Sequence, residues 1–133
     1  MMTIHHVCIL TNNYMESIQF YTNVLGAVLI KENMNFHGRE YNSWLQIGNV
    51  KIELQTPRKE EMTSNCCNAK TGPVHIAFMV DDTKKEYEAI VEKGYNNFIF
   101  KNGNALYEVM GEKLFKLMSP EGTIIEFRDT DIS

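Results

Sequence analysis

HHVCILTNN (His5 to Asn13) decides the fold, because VHIAFMVDD (Val74 to Asp82) reads as a second copy of it. His6 falls on His75, Val7 on Ile76 and Ile9 on Phe78, and polar residues close each apolar run. Farther along, VKIELQ (Val50 to Gln55) matches TIIEFR (Thr123 to Arg128), which sets Glu53 on Glu126. The offsets agree at 69 residues for the histidines, 68 for Gly26 and Gly94, and 73 for the glutamates. Two modules are implied within one expected domain over 1–133: module 1 at 1–57, a polar linker at 58–72 and module 2 at 73–133.

Each module predicts strand, helix and then three strands. Residues 3–11 form a β-branched apolar run, and Asn13 with Glu16 has capping-box spacing. Tyr14, Ile18, Tyr21 and Leu25 follow at helical spacing up to Gly26. Strands are expected over Ala27 to Lys31, Tyr41 to Ile47 and Val50 to Gln55, with Met34 to Gly38 a loop. In the second module, Val74 to Val80 predicts a strand and Thr83 with Glu86 a helix cap. Tyr87, Ile90 and Val91 predict the apolar face of that helix. Strands are expected at Asn97 to Lys101, Lys113 to Met118 and Thr123 to Arg128, and Tyr95 to Tyr107, with Asn102-Gly103-Asn104, reads as a mobile loop that could cover a site. The class is α+β: two βαβββ modules forming a curved mixed sheet.

The chain has 133 residues, 44% of them hydrophobic and 23% charged, which is enough to bury a core. A formal charge of -4 and the lack of a Lys/Arg run point away from nucleic acid and anionic membranes. There is no membrane-length apolar stretch and no basic-then-apolar leader, so a cytoplasmic location is expected. Cys8 lies in an apolar run and reads as a small buried hydrophobe, while adjacent Cys66 and Cys67 are poorly placed to form a disulfide.

Strand alternation sorts the polar residues. His6 sides with Cys8 and Leu10, and Glu53 with Lys51 and Gln55; His75 sides with Ala77, and Glu126 with Arg128. A lone strand histidine is usually structural, and a lone strand glutamate is usually solvated. Recurrence of both at matching places in both modules favours one shared site. Two imidazoles and two carboxylates suit a borderline divalent ion such as Ni, Co, Mn or Zn. His5 is the rival to His6, but its parity directs it toward the helix side and Val74 stands at its counterpart position. His37 falls in the expected loop without a repeat mate.

Four stretches, IHHVCILTNNYMESIQFYTNVLG (Ile4 to Gly26), VKIELQTP (Val50 to Pro57), GPVHIAFMVDD (Gly72 to Asp82) and SPEGTIIEFRD (Ser119 to Asp129), resemble the vicinal oxygen chelate superfamily. That superfamily includes glyoxalase I, methylmalonyl-CoA epimerase, extradiol dioxygenases and the bleomycin- and fosfomycin-resistance proteins. The resemblance implies the glyoxalase/bleomycin-resistance/dioxygenase fold, a homodimer and a metal held by His6, Glu53, His75 and Glu126, either all of one chain or with the first pair from one chain and the second from its partner. That set looks like bacterial glyoxalase I, a lactoylglutathione lyase. It implies a 1,2-proton shift on a 2-oxoaldehyde–thiol hemithioacetal through a metal-chelated ene-diolate, with Glu126 the catalytic base and Glu53 its near-symmetric partner. Glutathione-dependent relatives carry Arg and Asn where this chain has Leu10 and Pro57, which points to another small thiol or to a different substrate. The alternatives are an epimerase acting on an acyl-CoA, for which the lysines look too scattered, a thiol transferase for an antibiotic, and a non-catalytic small-molecule-binding protein.

Overall fold

The computed structural model describes residues 1–61 and 71–132; Cys66, Cys67 and most of the linker lie outside them. The chain divides into two compact units, Met1–Cys66 and Cys67–Ser133.

Unit 1 runs β1 (His6–Leu10), α1 (Tyr14–Gln19), a π-helical turn over Phe20–Val24, β2 (Val28–Phe36), β3 (Arg39–Ile47) and β4 (Val50–Gln55). Its sheet has the order β1-β4-β3-β2. The β1–β4 pair is parallel and the others are antiparallel. The helix start departs from expectation, for the Asn13 side chain makes no cap bond. Instead the Asn13 amide donates to Thr11 Oγ1 at 2.9 Å, and that buried hydroxyl pairs with Ser17 Oγ at 2.8 Å. At the other end, Leu25 N–H bonds back to Phe20 O, five residues earlier, which widens the last turn. Tyr14, Ser17, Phe20, Tyr21 and Val24 are consequently the buried positions, while Ile18 and Leu25 are only half-buried.

The expected loop at Met34 to Gly38 is mostly strand. β2 and β3 stay paired out to Phe36↔Arg39, leaving a two-residue turn of His37 and Gly38 with φ of 46° and 78°. Such a turn needs two left-handed residues, and only the glycine adopts that geometry without strain. The Tyr14 hydroxyl donates to Glu32 Oε1 at 2.6 Å, tying the helix to β2.

Unit 2 runs β5 (Ile76–Met79), α2 (Thr83–Glu92), β6 (Phe98–Ile99), β7 (Tyr107–Val109), β8 (Glu112–Met118) and β9 (Ile124–Arg128). The order is β5-β9-β8-β6 with β7 also on β8, one strand more than expected. Again the first and last strands pair in parallel. Asp82, not Thr83, caps α2, its side chain accepting from Lys85 N at 3.1 Å. The Thr83 amide and hydroxyl donate instead to Asp129 Oδ2, at 2.9 and 3.0 Å. Ile90 is fully buried and Tyr87 half-buried, but Val91 is exposed, so the helix face is narrower than its sequence suggested. Beneath it Phe115 stacks on Phe127 at 4.6 Å, with Tyr87 and Phe98 edge-on to Phe115. Among the described residues, no helix is long and apolar enough to cross a membrane.

Apolar positions on the face opposite the polar row are buried in both units: Ile9, Ile52 and Leu54 on β1 and β4, Ile125 and Phe127 on β9. The opposite face carries the polar residues picked out by alternation, so strand parity positions the site.

Candidate metal centre

In unit 1 the parallel register sets Cys8 beside Glu53, and the antiparallel register sets Trp44 on the other side of Glu53. His6 begins β1 one row away, opposite Lys51, with its Nε2 3.5 Å from Glu53 Oε1. Its ring lies edge-on to Trp44, with centroids 4.8 Å apart. Asn42, fully buried on β3, donates through Nδ2 to Glu53 Oε2 at 2.9 Å and to Gln55 Oε1 at 3.2 Å. The second carboxylate oxygen is thereby anchored and the first is left toward the imidazole. His5 Nδ1 is 2.9 Å from His6 Nδ1. With the His6 Nδ1 proton donated across that contact, the Nε2 lone pair faces Glu53, the tautomer a metal ligand needs. His5 therefore supports His6 rather than lying apart from it on the helix side.

Unit 2 repeats the geometry. His75 Nε2 is 3.7 Å from Glu126 Oε1, and Glu126 is only 6% exposed. Here the row through the carboxylate is Ala77, Glu126 and Lys116, and the next is Met79, Arg128 and Leu114. Lys116 Nζ is 3.7 Å from Glu126 Oε1, and Arg128 Nη1 is 3.9 Å from Glu126 Oε2. Arg128 also bonds Glu112. Burial and the Glu126 charge together push the Tyr107 hydroxyl above its ordinary 10.0.

Each unit thus supplies one imidazole–carboxylate pair; among the described residues, no three His, Cys, Asp or Glu side chains gather into one metal-holding group. Two donors on one ion, each about 2.0–2.2 Å from it, stand about 3–4 Å apart, and separations of 3.5 and 3.7 Å fall in that span. The donor set also fits in kind, being mixed nitrogen and oxygen, with both imidazoles exposed, Glu53 half-buried and Glu126 buried.

Several expectations need correcting. Cys8 is exposed, not buried, and lies on the site face. Desolvation, a hydrogen bond to Glu53 and the Glu53 charge push its thiol up to about 11, which keeps it protonated and poorly nucleophilic. Trp44 is half-buried against His6, whereas Phe36 and Met110 are exposed. The scattered lysines are not all scattered, because Lys101, Lys116 and Arg128 line one cleft with His75 and Glu126. Asn42 and Lys116 carry no repeat signal in the sequence; only cross-strand register puts them beside the glutamates.

Residues 5–108 match the Glyoxalase/Bleomycin resistance protein/Dioxygenase superfamily. The chain belongs to that superfamily. Its fold recurs in the glyoxalase family protein from Enterococcus faecalis, at 23% identity and a TM-score of 0.76, covering 96% of this chain and 97% of that one. It recurs in a mutant of the fosfomycin resistance protein FosX from Listeria monocytogenes, complexed with Mn(II) and 1S,2S-dihydroxypropylphosphonic acid. There the identity is 13% and the TM-score 0.73, over 99% and 95% of the two chains. Lactoylglutathione lyase from Agrobacterium tumefaciens shares it at 14% identity and a TM-score of 0.67, over 96% and 92%. At these identities the likeness is one of fold. No curated protein matches the chain.

Proposed function

We propose that this superfamily member is a metal-dependent lyase of the glyoxalase I type, moving a proton between adjacent carbons of a 2-oxoaldehyde–thiol hemithioacetal. What supports the reading is one repeated observation: an imidazole Nε2 within 4 Å of a carboxylate oxygen at matching places in both units. His6, Glu53, His75 and Glu126 would hold the ion. When bound, a divalent ion supplies Lewis acidity toward the two vicinal oxygens of such a substrate.

The chain's own residues then divide the work. Glu126, the more buried carboxylate, takes the proton from one carbon and returns it to the next. Glu53 is its near-symmetric counterpart, held by Asn42. The protonated Cys8 thiol takes no part as a nucleophile. Leu10 is exposed at the end of β1 and offers an apolar edge where an arginine would grip glutathione, so a different small thiol is the cosubstrate. The assembly is a homodimer. Val28, Leu29, Ile30, Met34 and Phe36 all expose apolar surface on the edge strand β2, which a second copy would cover.

The deciding experiment is turnover of methylglyoxal by protein reconstituted with Ni, Co, Mn or Zn, across a panel of small thiols, with methylmalonyl-CoA run alongside. Glyoxalase turnover with a non-glutathione thiol is expected. Turnover of methylmalonyl-CoA alone would replace this reading with the epimerase.

A further inference from the structure

The two units are not equal copies around their glutamates. In unit 1 the cross-strand neighbour of Glu53 on β3 is Trp44, and the next row is Leu10, Gln55 and Asn42. In unit 2 the matching places hold Lys116 and, two residues past Glu126, Arg128. The second half has therefore set two cations where the first has an aromatic ring and an amide. These cations line a cleft of about 470 Å³ with Lys101 and Tyr107.

Lys101 is fixed at the rim by a tight turn. Its amide and carbonyl pair with those of Asn104 at 2.9 and 3.0 Å, and Asn102 and Gly103 take φ of 52° and 80°. Its ammonium lies 5.4 Å from the centre of the Tyr107 ring. Among the described residues that line the cleft, the carboxylates beside Lys101, Lys116 and Arg128 are Glu112 and Glu126, and Arg128 is engaged with Glu112. The cleft is cationic before any ion is bound, and a divalent ion on Glu126 would deepen the imbalance. Lys116 and Lys101 then keep donors without a carboxylate to share. Clustered cations in a concave wall attract and orient an anion.

We infer that this cleft is an oxyanion subsite, taking a carboxylate or phosphonate group carried by the substrate, with Lys101 and Lys116 as its direct donors. The inference narrows the substrate class of the proposed function and rests on that reading only for the ion next door.

Calorimetric titration of the full chain, metal-free and Mn(II)-loaded, with methylphosphonate and separately with acetate tests it. Saturable binding is expected, tighter on the loaded protein, and the stronger of the two anions names the substrate group. K101A, which removes an exposed side chain at the rim, should weaken binding about tenfold, and K116Q at least as much. The circular dichroism spectrum of each variant should match the parent. Absence of saturable binding by either anion overturns the subsite, as does unchanged affinity in a K101A/K116Q double variant. Mn(II) affinity, read in parallel by electron paramagnetic resonance, separates the two ideas. Anion binding without Mn(II) binding sinks the metal reading and leaves the subsite standing.

Discussion

Asn42 shows what a single buried side chain contributes to a ligand set. It is fully buried, donates to both Glu53 and Gln55, and among the described residues its own Oδ1 finds no hydrogen-bond partner. A buried unpaired carbonyl is costly, so an asparagine here is kept for what its amide nitrogen holds. Removing a residue that orients a ligand typically costs 10–100-fold in metal affinity. N42A should therefore weaken Mn(II) binding by roughly that factor. Stability should change by less than about 2 kcal/mol, because the lost bonds are offset by removing the unpaired oxygen. A paramagnetic-resonance titration with a thermal melt measures both, and unchanged Mn(II) affinity would rule out this role. The sequence alone could have nominated the ligands, since His6 and Glu53 recur as His75 and Glu126. It could not nominate Asn42, which has no repeat mate and reaches Glu53 only across β3 and β4.

At the scale of elements, the strands that carry the site were readable because alternation within a strand is local. β4 occupies the residues expected, and β1, β5 and β9 fall within theirs. Helix ends were less readable, because the groups that satisfy them come from elsewhere in the chain. The first amide of α2 is held by Asp129, 46 residues away in sequence at the end of β9. Those bonds from the Thr83 amide and hydroxyl pull the Asp129 carboxyl below its ordinary 3.8. A carboxyl depressed in the folded state adds stability above its unfolded value and loses it as pH falls through the folded one. D129N should consequently be less stable than the parent at pH 7, and the gap should close as both are melted at pH values descending below about 4. A gap that stays constant down to pH 2 would mean that the carboxylate charge is not what holds the helix start.

For the whole molecule, the question is whether two matching pairs serve one ion or two. An isolated imidazole–carboxylate pair offers two donors, too few for the four to six that borderline divalent ions take. Pairs acting independently would bind two ions per chain weakly; pairs that share would bind one tightly. The shared reading gives one Mn(II) per chain and, with the apolar β2 edge covered, a sedimenting mass twice the 15.4 kDa of the single chain. It also makes the units interdependent. H6A in unit 1 and H75A in unit 2 should each weaken the same single class of site, by about a hundredfold or more. Independent pairs would behave otherwise, with H6A leaving the His75–Glu126 pair at its parental affinity. Equilibrium dialysis of the parent and both variants against Mn(II) distinguishes them, and a surviving parental-affinity site in either variant would break the link between the duplication and the proposed chemistry.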